Sequence, residues 1–197
     1  MSDSIVPVAV CDDHAVYRRE LMTALESDSD IQVVAEADMP SGLGPIVNEH
    51  PPHVIVVDLS PPKSDPAQVI RTLAERMPKS QILAVGGPND DLAVALIAGA
   101  VGAVEKTTAL AMGPFIVHAV AAGRLFLDRR AAQWLLRTVH AHPRRTSIPA
   151  SQVELVDHLT QVDTIAELGR DSFSGAKNER ELVALLGSLR ARRASDS

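Results

Sequence analysis

The chain has a single cysteine, Cys11, among its 197 residues, so no intramolecular disulfide can form and a reducing, cytoplasmic setting is expected. No apolar run approaches the roughly 20 residues that a membrane-spanning helix needs. The opening MSDSIVPVAV has no basic stretch ahead of its apolar part, so a secretory signal is not expected either. Positive charge is also in short supply. A formal net charge of -6 and a sequence pI near 5.6 exclude coating of nucleic acid through bulk charge and leave room only for a local basic patch. Charged residues make up 22% of the chain and hydrophobic ones 46%, which excludes a disordered, solvating polymer and allows a real core. The length suits one domain of ordinary size plus a smaller one.

Short β-branched runs alternate with segments of helical period up to about residue 123, the pattern of βαβ units and a parallel sheet covered on both faces. Strands are expected at Val6–Cys11, Ile31–Ala37, Val54–Asp58, Gln81–Val85 and Ala103–Glu105, and helices at His14–Glu26, Ala67–Met77, Asp90–Ala98 and Ala109–Ala122. The stretch MPSGLGPIVNEH carries two glycines and two prolines, so the second helix should be short or irregular. Gly123 should end the helix before it. The segment RLFLDRRAAQWLLRTV then reads as a further helix, HAHPRRTSIP as a linker, and Ser151 onward as a helical module.

Such an order gives a doubly wound α/β domain of flavodoxin-like type, in which chemistry sits at the carboxyl ends of the strands. Asp12 and Asp13 follow the first strand, Asp58 ends the third and Lys106 follows the fifth, so all four should converge on one sheet edge. An aspartate in any of these places also serves as a turn former or helix cap. Joint convergence favours a site. Hard carboxylate oxygens suit a divalent cation such as Mg2+. A carboxylate can also attack a phosphoryl group to form an aspartyl phosphate, with a lysine and a metal neutralising the phosphoryl oxygens.

The segments VAVCDDHAVYRREL, DIQVVAEA, HVIVVDLSPPKSD, IAGAVGAVEK and FIVHAVAAGRLFLDRRAAQWLL, in that order and spacing, resemble the receiver domain of two-component response regulators of the NarL/LuxR type, over residues 5 to about 137. The resemblance implies that Asp58 is the phosphoacceptor, that Asp12 and Asp13 bind Mg2+ with Asp58, that Lys106 contacts the phosphate, and that Pro62 belongs to the loop after the acceptor. It implies a sensor histidine kinase as partner and a homodimer as the working state. The domain limits that follow are 1–127 for the five-stranded receiver, 128–147 for a linker helix and linker, and 148–197 for an all-α output domain resembling a helix-turn-helix.

Two features of the family are missing. The hydroxyl at the end of the fourth strand falls on Val85 or Gly86, and the aromatic ahead of the lysine falls on Ala103. In the family these two side chains move together to transmit phosphorylation. Pro61 and Pro66 further stiffen the loop around Pro62. In the tail, SQVELVDHL, TIAELG and ERELVALLGSLRARR follow the helix-turn-helix rhythm, yet acids outnumber bases there. Arg190, Arg192 and Arg193, with Arg144 and Arg145, are the candidates for DNA phosphate contacts. The first expectation is thus an atypical response regulator that binds DNA and regulates transcription. The second is a protein-interaction regulator, largely independent of phosphorylation, with a helical adaptor tail. An enzyme is the class with least support, because the pocket offers no base or substrate cleft beyond what self-phosphorylation needs.

Overall fold

A computed structural model of the chain describes residues 5–43, 51–59, 65–141 and 175–195. Strands β1 (Val6–Cys11), β2 (Ile31–Ala37), β3 (Val54–Asp58), β4 (Gln81–Gly86), β5 (Gly102–Glu105) and β6 (Phe126–Leu127) form one parallel sheet in the order β2-β1-β3-β4-β5-β6. The helices are α1 (Ala15–Leu25), α2 (Pro66–Arg76), α3 (Leu92–Ala98), α4 (Lys106–Ala121), α5 (Arg129–Ala141) and α6 (Gly175–Ser195). This is the doubly wound, flavodoxin-like architecture expected from the strand and helix alternation, with six strands rather than five.

The central strands are apolar throughout because both faces are covered. Val8, Val10, Val54, Val56, Leu83, Val85 and Val104 face α1 and α4, where Leu21, Leu25, Ile116, Val117 and Val120 complete one core. On the other face Ala9, Cys11, Ile55, Val57, Ile82, Ala84 and Ala103 meet Ile70, Leu73, Leu92, Leu96, Ala131 and Leu135 from α2, α3 and α5. Successive strand residues thus divide between the two cores, as the period of two demands.

Several boundaries differ from the sequence expectation, each for a local reason. The segment from Arg124 does not begin as a helix: Phe126 and Leu127 pair with Gly102 and Ala103 as a sixth strand. Both are buried, one in each core, which only an extended backbone allows. The next helix starts at Arg129, where Asp128 caps it. Helix α4 begins at Lys106 rather than Ala109 and runs through Pro114, which removes one backbone bond without ending it. The segment after β2 forms a short 3-10 helix, Pro40–Leu43, and the rest of the expected second helix lies outside the described residues. Gly123 does end α4, in the left-handed region with φ 72°.

Of the tail pieces, SQVELVDHL and TIAELG lie outside the described residues, whereas ERELVALLGSLRARR falls within α6. Leu182, Leu185, Leu186 and Leu189, at helical spacing, are buried in the same core as α3 and α5. Burying a leucine contributes about 1.5–3 kcal/mol, so this stripe fastens α6 to the outer face of the sheet domain.

Candidate phosphoryl and metal pocket

The strand order reverses at β1. The chain leaves β1 for the edge strand β2 and returns to β3 on β1's other side, so the carboxyl ends of β1 and β3 flank the crevice of the sheet. Cys11 in β1 pairs with Val57 in β3, which brings Asp12 and Asp58 to neighbouring strand ends. Both are buried, at 1% and 3% exposure, while Asp13 is partly exposed at the rim. Asp58 is also in register with Val85 of β4.

Lys106, the first residue of α4, completes the group. Its Nζ lies 2.8 Å from Asp12 Oδ2 and 3.2 Å from Asp58 Oδ1. The ammonium also sits over the Tyr17 ring, 4.7 Å from its centroid, and the Tyr17 hydroxyl donates to the Lys106 carbonyl at 3.1 Å. Burial works to lower the Lys106 pKa, but the carboxylates of Asp12 and Asp58 outweigh it and hold the pKa above its ordinary value. Burial and the same two carboxylates push the Tyr17 phenol up, and burial followed by the Asp12 charge pushes the Cys11 thiol up to about 12. All four expected site residues therefore converge on one sheet edge.

Three carboxylates against one ammonium leave an excess of negative charge, and oxygens of Asp12, Asp13 and Asp58 are shut off from water. Buried charge is costly unless opposite charge answers it. Hard oxygen donors with surplus negative charge fit a divalent cation such as Mg2+, for which one or two protein carboxylates suffice alongside waters and a phosphoryl oxygen.

Sequence reasoning left some of the surrounding residues without a role. His14 takes the N-cap position of α1, and its backbone N–H donates to Asp12 Oδ1 at 2.8 Å. The Arg18 guanidinium bonds the Asp12 carbonyl and reaches Glu36 at 3.1 Å. Asp128 accepts from the Glu105 amide at 2.7 Å, the Thr108 hydroxyl at 3.0 Å and the Ala131 amide at 2.9 Å, tying the start of α4 to the start of α5. The signal for Asp128 was present: an aspartate directly before RRAA has the form of a helix cap. Arg130 adds a contact to Glu105 at 3.5 Å and donates to the Pro88 carbonyl in the loop after β4.

The positions on which the family's hydroxyl and aromatic fall, Val85 or Gly86 and Ala103, are crowded, and Val85 is fully buried. At Gly86 a Cβ would stand 3.0 Å from both Asp90 Cβ and Leu92 Cδ2, and Ala103 is fully buried. Pro61 and Pro62 lie outside the described residues, while Asp65 caps α2 by accepting from the Ala67 amide at 3.0 Å with Pro66 in the first turn.

The candidate DNA contacts are not brought together with this pocket. Arg190 donates to the Leu96 carbonyl at 2.8 and 3.1 Å and to the Ala100 carbonyl at 3.2 Å, at the carboxyl end of α3. Burial lowers its pKa there. Arg192 and Arg193 continue the backbone of α6, and Arg144 and Arg145 lie outside the described residues. Among the described residues, no helix is long and apolar enough to cross a membrane.

Comparison with known proteins agrees with this geometry. Residues 8–112 match the model of the response regulator receiver domain. Over 134 residues the chain is 35% identical to the DNA-binding transcriptional activator DevR/DosR of Mycobacterium tuberculosis, covering 67% of this chain and 62% of that protein. The chain therefore spans less than two thirds of that relative's length. Among solved structures it is similar to the signal receiver domain of the response regulator NarL from M. tuberculosis, with 28% identity, a TM-score of 0.55, and 61% of this chain and 99% of that one covered. It is also similar to a LuxR-family two-component response regulator from an Aurantimonas species, with 26% identity, a TM-score of 0.59, and coverage of 68% and 98%. With the acidic crevice, the lysine at the head of α4 and the matched segment all in register, the chain belongs to the response regulator receiver family of two-component signalling.

Proposed function

We propose that Asp58 is the phosphoacceptor of an atypical response regulator, charged by a sensor histidine kinase and acting on transcription through the C-terminal region. The observation that carries this reading is the Asp58 carboxylate at the end of a buried strand, 3.2 Å from Lys106 and beside Asp12. An Asp58 carboxylate oxygen attacks the phosphorus of the donor, the bond from phosphorus to the leaving group breaks, and an acyl phosphate forms. Lys106 pairs with the negative phosphoryl oxygens as they enter, exchanging part of its contact with Asp12 and Asp58. Asp12, Asp13 and Asp58 would hold Mg2+, which supplies further positive charge to those oxygens. The burial of Asp12 and Asp58 keeps water away and makes each of these charge contacts stronger.

The domain reading is a receiver over 1–127, a linker over 128–147 and an output region over 148–197. Incubation of the whole chain with Mg2+ and acetyl phosphate, read by intact mass, tests the proposal. A gain of one phosphoryl group that disappears in Asp58→Asn supports it, and no gain removes it.

A second reading, a protein-interaction regulator whose tail does not bind DNA, has one specific observation in its favour. The Arg190 guanidinium is engaged by the Leu96 and Ala100 carbonyls, so one of the five candidate phosphate contacts faces the receiver. Retention of the chain on duplex DNA as salt is raised separates the two. A DNA regulator releases with a steep salt dependence, and an adaptor shows no retention at any salt. Dimer formation on phosphorylation, measured by sedimentation, completes the regulator reading.

A further inference from the structure

The His14 imidazole stands over the acidic crevice. Its Nδ1 lies 2.8 Å from Asp13 Oδ1, 3.5 Å from Asp12 Oδ1 and 4.0 Å from Asp58 Oδ2. One ligand atom from each of Asp12, Asp13, His14 and Asp58 can be chosen so that all four lie within 4.8 Å of one another. An octahedral ion with bonds of about 2.1 Å spaces its neighbouring donors by about 3 Å and its opposite ones by about 4.2 Å, so this set, at up to 4.8 Å, is slightly wider than the ion requires and closes on it by small side-chain movements. The backbone at His14 is fixed, which sets where its Cβ leaves the chain. The His14 amide is bonded to Asp12 Oδ1, and the side chain makes no capping bond to α1.

We propose that His14 is a metal ligand of this pocket, making it a mixed nitrogen and oxygen site that favours first-row transition ions over Mg2+. The inference rests on reading the crevice as a metal and phosphoryl pocket, and it changes which ion the pocket selects. Carboxylates alone suit Mg2+ and Mn2+, which take oxygen donors readily. An added imidazole gains little with Mg2+ but binds Co2+, Ni2+ or Zn2+ well, and the affinity order of these ions amplifies the difference. Because the His14 side chain is 65% exposed, it reaches the pocket from the solvent side, and its removal leaves the buried Asp12, Asp58 and Lys106 contacts standing. The opposing account is that His14 is a rim histidine that only pairs with Asp13.

Calorimetric titration of the full chain with MgCl2 and separately with CoCl2, on the wild type and His14→Ala, distinguishes the two. The expected result is a loss of Co2+ affinity of about 10-fold or more in His14→Ala, with Mg2+ affinity changed by less than about 3-fold. Pulsed EPR of the Mn2+-loaded chain should show nitrogen-14 modulation that His14→Ala abolishes. Equal losses for both ions would mean that His14 acts by positioning Asp13, and unchanged affinities would mean a rim histidine; either overturns the proposal while leaving the pocket intact. If neither Mg2+ nor Co2+ binds the wild type, the metal pocket itself falls, and the ligand role of His14 with it.

Discussion

Replacing Asp128 by alanine removes one buried carboxylate that serves three donors on three elements. The side chain is 4% exposed and accepts from the Glu105 amide at the end of β5, the Thr108 hydroxyl in α4 and the Ala131 amide in the first turn of α5. Loss of a helix cap costs about 1 kcal/mol. A buried amide left without its acceptor costs about 1–3 kcal/mol, and the Glu105 amide becomes one. The Thr108 hydroxyl can rotate towards another acceptor, so it adds little. The sum is about 3 kcal/mol, a large part of the 5–15 kcal/mol that holds a typical domain together. Urea unfolding followed by far-ultraviolet circular dichroism measures it. Asp128→Asn keeps one acceptor oxygen and the shape, and should cost about half as much. A loss under about 1 kcal/mol in Asp128→Ala, or equal losses in the alanine and asparagine variants, would refute the argument that acceptor capacity at this point joins the three elements.

Gly86→Thr, which would put a hydroxyl at one of the two positions where the family's could fall, should destabilise the chain by about 1–3 kcal/mol in the same unfolding assay, because its Cβ has to enter space held by Asp90 and Leu92 at 3.0 Å. Cys11, buried and with its thiol pushed up to about 12, should resist Ellman's reagent at mildly alkaline pH in the folded chain and react promptly in guanidinium. The Asp30 amide at 2.9 Å, then His118 at 3.2 Å, hold the Asp28 pKa below its ordinary value. A lowered folded pKa stabilises above the unfolded value and is lost as pH falls through the folded one. The stability difference between wild type and Asp28→Asn should therefore be present at neutral pH, begin to shrink only below about pH 4, the ordinary carboxylate range, and be gone once the pH has passed below the lowered folded value; a difference lost already well above pH 4 would contradict the assignment.

The pocket was legible because its residues sit where strands end. An apolar run followed by an acid marks both a strand and its carboxyl terminus, and the βαβ order then sends Asp12, Asp58 and Lys106 to one edge without any knowledge of side-chain packing. What could not be read are contacts made by the chain at long range. Asp128 reaches 23 residues back to Glu105, Arg130 reaches 42 back to Pro88, and Arg190 reaches 94 back to Leu96. No periodicity records such pairs. The sixth strand escaped for a related reason: two residues are too few to show a period, and Phe126–Leu127 are held extended by pairing with β5. Arg190 illustrates the limit most directly, since a basic helix end suits a DNA phosphate, a helix dipole or a carbonyl cap equally well in sequence.

The closed positions around the pocket bear on how any signal leaves it. A hydroxyl and an aromatic that move together need side chains with alternative rotamers; Gly86 and Ala103 have none, and Val85, the other position for the hydroxyl, is an apolar side chain fully buried in the core. Nor can either gain one cheaply, because Gly86 is walled by Asp90 and Leu92 and Ala103 is fully buried in the α3 and α5 core. The connections that do run outward from Lys106 pass through the backbone. Its carbonyl accepts from Tyr17, the amide before it is held by Asp128, and Glu105 meets Arg130, which also holds the loop after β4. On the proposed phosphorylation of Asp58, a displacement of Lys106 would either leave α4 still, with only the ammonium moving, or carry Glu105 and Asp128 with it and so shift the first turn of α5. The Asp128 variants separate these cases. Cutting the carboxylate leaves the Lys106 side chain untouched but loosens α5 from the head of α4, leaving the Arg130–Glu105 contact as the remaining polar link, so the proposed phosphorylation and its effect on the rest of the chain are partly uncoupled only in the second case.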